Sequence, residues 1–202
     1  MKPSTRIIFE YEIRDKSGKV IKRGIIKGHS FVENYTKLLL QMFYQGTTFS
    51  LIPRGETEKT FSQSDITTCT VMGKVSDDPD NFYKYGILVG TGTTTPTPSD
   101  TDLESVIVHD TTYLEYSDMV CETTDIDYDT ITSSFTLKRD FSNKTDDQDI
   151  TISEVGFACK ILQNGSTPYY VLLARDVIPE EERPTIPPGG VLTIRARVEN
   201  TI

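Results

Sequence analysis

Along residues 6–14, the apolar side chains Ile7, Phe9, Tyr11 and Ile13 alternate with polar neighbours, a period of two that predicts a strand with one buried face. Lys16-Ser17-Gly18 supplies a turn, and residues 20–26 return as the partner strand. The chain therefore opens on a hairpin. The period then changes. Phe31, Tyr35, Leu38, Leu39, Met42 and Phe43 recur at helical spacing and predict a helix over residues 31–45, with Ser30 and Glu33 as its capping box and Gly46 near its end. A single amphipathic helix among strand signals is expected to cover an edge or end of its own sheet.

Between residues 47 and 80 the signal thins. Residues 66–75 read as a strand, whereas 52–63 and 76–81 read as surface loops rich in Pro, Gly and charge. The second half is a succession of short strands, at 105–108, 112–120, 130–141, 150–160, 169–174 and 191–198, with turn clusters at 142–148 and 163–168. Long parallel crossovers would need helices that the sequence lacks. The predicted fold is therefore mainly β: one domain over residues 1–202, an antiparallel β-sandwich of jelly-roll type with one packed α-helix.

Residues 86–103, GILVGTGTTTPTPSDTDL, run from a buried strand into an extended arm near residues 91–100, where Pro96 and Pro98 prevent both helix and regular ladder. The Gly-Thr-Gly has no third glycine at dinucleotide spacing and no Gly-Lys-Ser/Thr at phosphate-loop spacing, which argues against a nucleotide cradle. After this arm come Ile-Ser-Glu-Val-Gly-Phe (152–157), Leu-Ala-Arg-Asp-Val (173–177) and Pro-Pro-Gly-Gly-Val-Leu-Thr-Ile (187–194). In that order the segments resemble a loose group of uncharacterised β-rich structural proteins of tailed bacteriophages and related viruses, over residues 31–198. The resemblance implies a virion component and carries over no catalytic residue.

Composition narrows the alternatives. At 202 residues the chain can bury on the order of 70% of its unfolded surface, enough for one sizeable core. A net charge of −9 and a pI near 4.8 disfavour nucleic acid as a partner, since phosphate neutralisation needs clustered Lys and Arg. The basic residues of 14–27 alternate with Val20, Ile21, Ile25 and Ile26 and read as the solvated face of the opening hairpin. The N-terminal residues have no apolar run of signal-peptide length, and no window reaches membrane-spanning length, so synthesis in a cytoplasm is expected, away from any membrane; that the cytoplasm is a host's and the destination the virion is what the resemblance implies. Cys69, Cys121 and Cys159 are odd in number and widely spaced, fit neither a disulfide framework nor a zinc knuckle, and are each expected to be small buried apolar residues.

Candidate chemistry is sparse. His29 and His109 belong to no nucleophile or zinc motif, and no Gly-x-Ser-x-Gly elbow occurs. Asp125, Asp127 and Asp129 alternate, so an extended segment would aim them to one side as oxygen ligands for a hard cation. Thr130 and Thr136, however, stand where an EF-hand needs Gly and Glu, and the segment reads as a solvated strand approach. Paired carboxylates for sugar hydrolysis need only spatial proximity and stay open at this stage, although with no Trp an aromatic sugar platform would rest on Tyr or Phe.

The sequence reading is thus a non-enzymatic virion structural protein without metal or cofactor. A capsid decoration or cementing role comes first and a tail, collar or fibre component second; a carbohydrate- or receptor-binding module is the rival class. The expected partners are other virion proteins and copies of the chain itself, a trimer by analogy. Thr93, Thr95, Pro96 and Pro98 of the arm and Pro184 and Pro187 of the 178–188 loop are the expected interface, because the arm lacks side chains large enough to join the core.

Overall fold

The computed structural model describes residues 4–26, 31–43, 48–62, 66–127 and 132–201. It is mainly β, with 53% strand and 7% helix, and belongs to the β-sandwich-like class that the alternation predicts. In chain order the elements are β1 (Ser4–Arg14), β2 (Val20–Ile26), α1 (Glu33–Phe43), β3 (Thr48–Leu51), β4 (Lys59–Ser62), β5 (Ile66–Thr70) and β6 (Gly86–Gly90). Then follow β7 (Leu114–Tyr116), β8 (Val120–Asp127), β9 (Thr132–Asn143), β10 (Ile150–Thr151), β11 (Glu154–Gln163), β12 (Thr167–Val177), β13 (Thr185–Ile186) and β14 (Val191–Thr201). All strand pairs among the described residues are antiparallel.

The chain forms two compact units, neither of them continuous in sequence: Met1–His29 with Ile107–Ser153 and Ile178–Ile202, and Ser30–Val106 with Glu154–Val177. The first unit is a six-stranded sheet in the order β2-β1-β14-β9-β7, with β8 also on β9, beside the short pair β10-β13. Its inner face follows directly from the alternation: Ile7, Phe9, Tyr11 and Ile13 of β1, Leu192, Ile194 and Ala196 of β14, and Leu137 and Phe141 of β9 are all buried. Arg139 keeps the same inward parity and is fully buried, its guanidinium carbon 5.5 Å from the centroid of the Tyr116 ring.

Asn143 fastens the far end of this sheet. Its side-chain N–H groups donate to the carbonyls of Gln148 (2.8 Å) and Ile186 (2.9 Å), and its Oδ1 accepts from the backbone N–H of Thr145 (2.9 Å). Its backbone exchanges bonds with Gly189 and Gly190, which locks the Pro-Pro-Gly-Gly turn that feeds β14. Asn143→Ala would leave a buried carbonyl without a donor and is expected to destabilise by about 1–3 kcal/mol in urea unfolding. A loss under about 0.3 kcal/mol would show that water takes over the role of the amide.

The second unit is built on β11, which carries β12 on one side and both β5 and β6 on the other. Asn164, Gly165 and Ser166 join β11 to β12; Asn164 and Gly165 are left-handed, with φ of 51° and 74°, and the Ser166 N–H closes the turn on the Gln163 carbonyl at 3.2 Å. Helix α1 packs on β12 and β3, as expected of a helix that covers its own sheet. It begins at Glu33, later than the capping box predicts. Ser30 lies outside the described residues, and the Glu33 N–H donates to the carbonyl of Pro98 at 2.8 Å. Tyr35 stacks on Phe31 at 3.9 Å, and the buried Asn34 side chain bridges the N–H and carbonyl of Ile52. Residues 44–45 and the side chains of Leu39, Met42 and Phe43 lie outside the described residues.

Several local expectations are corrected. Residues 59–62, read as loop, are strand β4 paired with β3, with Phe61 buried against the edge of Tyr169 at 5.3 Å. Residues 105–108 make only an isolated bridge, Val106 to Gly90. Residues 112–120 are split between β7 and the start of β8, and residues 150–160 between β10 and β11. Of the cysteines only Cys159 is buried; Cys69 and Cys121 are exposed because they sit on β5 and β8, each paired on one side only among the described residues.

Candidate functional site

Beneath the arm of the second unit lies a buried ion pair between Glu154, at the start of β11, and Arg175, near the end of β12. Their relative exposures are 0% and 3%, and Nε of Arg175 donates to Oε2 of Glu154 at 2.9 Å. The strands bring them together because Arg175 is the register partner of Gly156, two residues along β11 from Glu154 and on the same face.

The carboxylate does more than neutralise the arginine. Its Oε1 accepts from the N–H groups of Gly92 (3.0 Å) and Ser105 (2.7 Å), and its Oε2 also accepts from the N–H of Glu104 (3.0 Å). Each oxygen thus takes two bonds, and the group acts as a fastening. Arg175 reaches the other side of the arm, to Oδ2 of Asp100 at 2.7 Å and to the carbonyl and hydroxyl of Thr94 at 3.2 Å each. Glu104 completes the clasp by accepting from the N–H groups of Thr93 (2.6 Å) and Thr94 (2.8 Å).

This geometry explains the sequence pattern that singled out the segment. A Cβ on Gly92 would stand 2.5 Å from Oε1 of Glu154, and one on Gly90 would also collide with that oxygen, so Gly-Thr-Gly is what lets the carboxylate approach the backbone. Gly156 of Glu-Val-Gly makes room for Leu103, whose methyl group a Cβ would strike. The arm, strand β11 and strand β12 thus supply one interlocked feature.

Electrostatics favour the closed clasp at neutral pH. Burial opposes ionisation of Asp100, but hydrogen bonds from Arg175 and Thr97 outweigh it and hold the carboxyl below the usual range. The backbone N–H groups of Thr94 and Thr93 do the same for Glu104. Burial likewise disfavours the charged form of Arg175, yet its bonds to Asp100 and Glu154 raise its pKa. A carboxyl depressed in the folded state contributes stability above its unfolded pKa, and that contribution is lost as pH falls through the folded value. The melting temperature is therefore expected to fall below about pH 4, and to fall less steeply in Asp100→Asn. Equal slopes in the two proteins would show that Asp100 is not part of the acid response.

The expected interface residues divide. Thr93, Thr95 and Pro98 are exposed and Pro96 is half-buried, so the arm turns an outward row to solvent while its backbone is held from below. That holding differs from the expectation of an arm with nothing in its own fold to order it: hydrogen bonds from Arg175 and to Glu104 do the work that large apolar side chains would have done. Pro184 is buried, its carbonyl accepting from the Ile152 N–H at 2.9 Å, and Pro187 is half-buried.

The same unit contains a cavity of about 320 Å³ lined by Thr68, Thr70, Met72, Asp77, Tyr85, Lys160 and Leu162. Lys160 is tied to Asp78 at 2.6 Å and lies 5.6 Å from the centroid of the Tyr85 ring. Tyr85 stacks on Tyr170 at 5.9 Å. Burial and the neighbouring Asp78 charge push the Tyr170 hydroxyl well up, so it stays a donor at neutral pH.

Among the described residues no group of His, Cys, Asp or Glu has the geometry to hold a metal. Asp125 is exposed on β8, Asp127 belongs to the same strand, and Asp129 lies outside the described residues. His29 also lies outside them, and Nδ1 of His109 accepts from the Tyr116 N–H at 3.0 Å, a structural bond. No helix among the described residues is long and apolar enough to cross a membrane. No family model, no curated protein and no solved structure matches the chain.

Glu104, Glu154 and Arg175 carried no assigned role in the sequence reading, nor did Asp100. The available signal was a carboxylate and an arginine embedded in the apolar strand runs around Glu154 and Arg175, where burial obliges each to find an opposite charge.

Proposed function

We propose that this chain is a non-enzymatic structural protein of a virus particle, in the first place a capsid decoration or cementing protein that uses its arm as the contact surface. The observation that carries this reading is the clasp: a buried ion pair and eight further hydrogen bonds from or to Glu154, Glu104 and Arg175 hold a surface segment that contributes little apolar core. Ordering an arm in advance lowers the entropy lost when it meets a partner, which is the advantage of a preorganised contact. A tail, collar or fibre component would use the same surface and differs only in its place on the particle.

The test is attachment. Antibody raised against the chain should label purified particles from its source, and Thr93→Lys with Thr95→Lys, at exposed positions, should abolish attachment of added protein while leaving its melting temperature unchanged. Particles without the antigen would overturn the reading. The cavity at Tyr85 and Lys160 favours a second one, a carbohydrate-binding module, because aromatic and hydroxyl groups line a volume near the lower end of small-ligand pockets. Saturable glycan binding lost in Lys160→Met would promote it.

A further inference from the structure

The six-stranded sheet of the first unit ends in two edges of opposite charge. Strand β2 bonds only to β1, and β8 only to β9, among the described residues. Residues 19–26, KVIKRGII, carry three cations and no carboxylate, whereas residues 118–125, DMVCETTD, carry three carboxylates and no cation; of these Arg23 is paired with Glu12 and Glu122 with Arg195 inside the sheet. Each edge also exposes apolar side chains: Ile21 and Ile25 of β2 are 50% and 56% exposed, and Val120 of β8 is 45% exposed.

We infer that a second copy of this chain docks by strand addition, the β2 edge of one copy against the β8 edge of the next. Charge selects this pairing. A two-fold contact would set β2 against β2 or β8 against β8 and oppose like charges, which is unfavourable across a strand pair. Head-to-tail pairing joins opposite signs and covers the exposed isoleucines and Val120 together.

Topology sets the direction. Because β1, β14 and β9 separate the two edge strands through successive antiparallel pairs, β2 and β8 run the same way within one sheet. A head-to-tail repeat preserves that direction, so the new pair is parallel, with its backbone bonds evenly spaced and slanted. Such a contact is heterologous: it closes into a ring when the rotation per copy allows, a trimer included, and otherwise runs on as a filament. The inference gives the self-association expected from the sequence a surface other than the arm, and it is separable from attachment to particles.

Sedimentation velocity of the full chain tests it, with circular dichroism melts as the control for folding. The native sequence is expected to sediment above monomer mass in a concentration-dependent way. One variant, Lys19→Glu with Ile21→Glu and Arg23→Glu, reverses the β2 edge. A second, Asp118→Lys with Thr123→Lys and Asp125→Lys, reverses the β8 edge. Each alone is expected to be monomeric, because its two edges then carry like charge, and their equimolar mixture to sediment above monomer mass again, because every edge of one variant meets an edge of opposite sign on the other. A native chain that stays monomeric at every concentration, variants that assemble alone, or a mixture that remains monomeric would each overturn the inference. A monomeric native chain that still labels particles would overturn edge pairing and leave the virion reading standing; an assembling chain absent from particles would do the reverse.

Discussion

Arg175→Met is expected to destabilise the protein by about 3–5 kcal/mol, because it leaves the carboxylate of Glu154 buried without its counter-charge. The loss should appear in urea unfolding as a lower midpoint. Adding Glu154→Leu should recover a large part of it, since a buried pair replaced by apolar side chains of similar volume is often near neutral. Recovery of stability would not restore the arm: Gly92, Glu104 and Ser105 would have lost their acceptor, and their amide protons should exchange faster than in the native protein. If the single variant unfolds within about 0.5 kcal/mol of the native chain, water has entered the clasp and solvates the carboxylate, and the fastening role assigned to the pair is wrong.

Phe61→Ala is expected to cost about 3–5 kcal/mol, as large aromatic truncations do in cores that cannot collapse. Phe61 is 1% exposed and meets Tyr169 edge-on and Phe49 at 5.9 Å, so the lost side chain leaves a cavity between a short hairpin and β12. Urea unfolding followed by tyrosine fluorescence would report it. A cost below about 1 kcal/mol would mean that the β3–β4 hairpin is a surface flap that closes over the gap.

The same hairpin shows what the sequence could and could not convey. Long strands such as β1 and β14 carry enough alternation to fix both their existence and their inward face, because four or five apolar side chains of one parity leave a single arrangement that buries them. Strands β3 and β4 are four residues each, too short for a period of two to rise above composition. Helix α1 was legible from its 3.6-residue spacing, but its start was not: the cap comes from the carbonyl of Pro98, a residue distant in sequence.

The clasp was visible only as glycine spacing and turn chemistry. Its meaning needed the third dimension, since Gly92 and Glu154 are 62 residues apart and Thr94 and Arg175 are 81 apart. Cys69 and Cys121 misled for a related reason: residue type predicts burial on average, and strand position overrides it.

Gly-Thr-Gly looked like half of a phosphate loop, and the physics behind that likeness is real. The N–H groups of Gly92, Glu104 and Ser105 converge on the two oxygens of one carboxylate as the amides of an anion nest do. Here the nest is already full. Its anion is a carboxylate tethered to the same polypeptide, present at an effective concentration that free phosphate in solution would have to exceed to displace it. An oxyanion hole in outline, the loop is a self-liganded one, and its selectivity is directed inward at one side chain of its own fold.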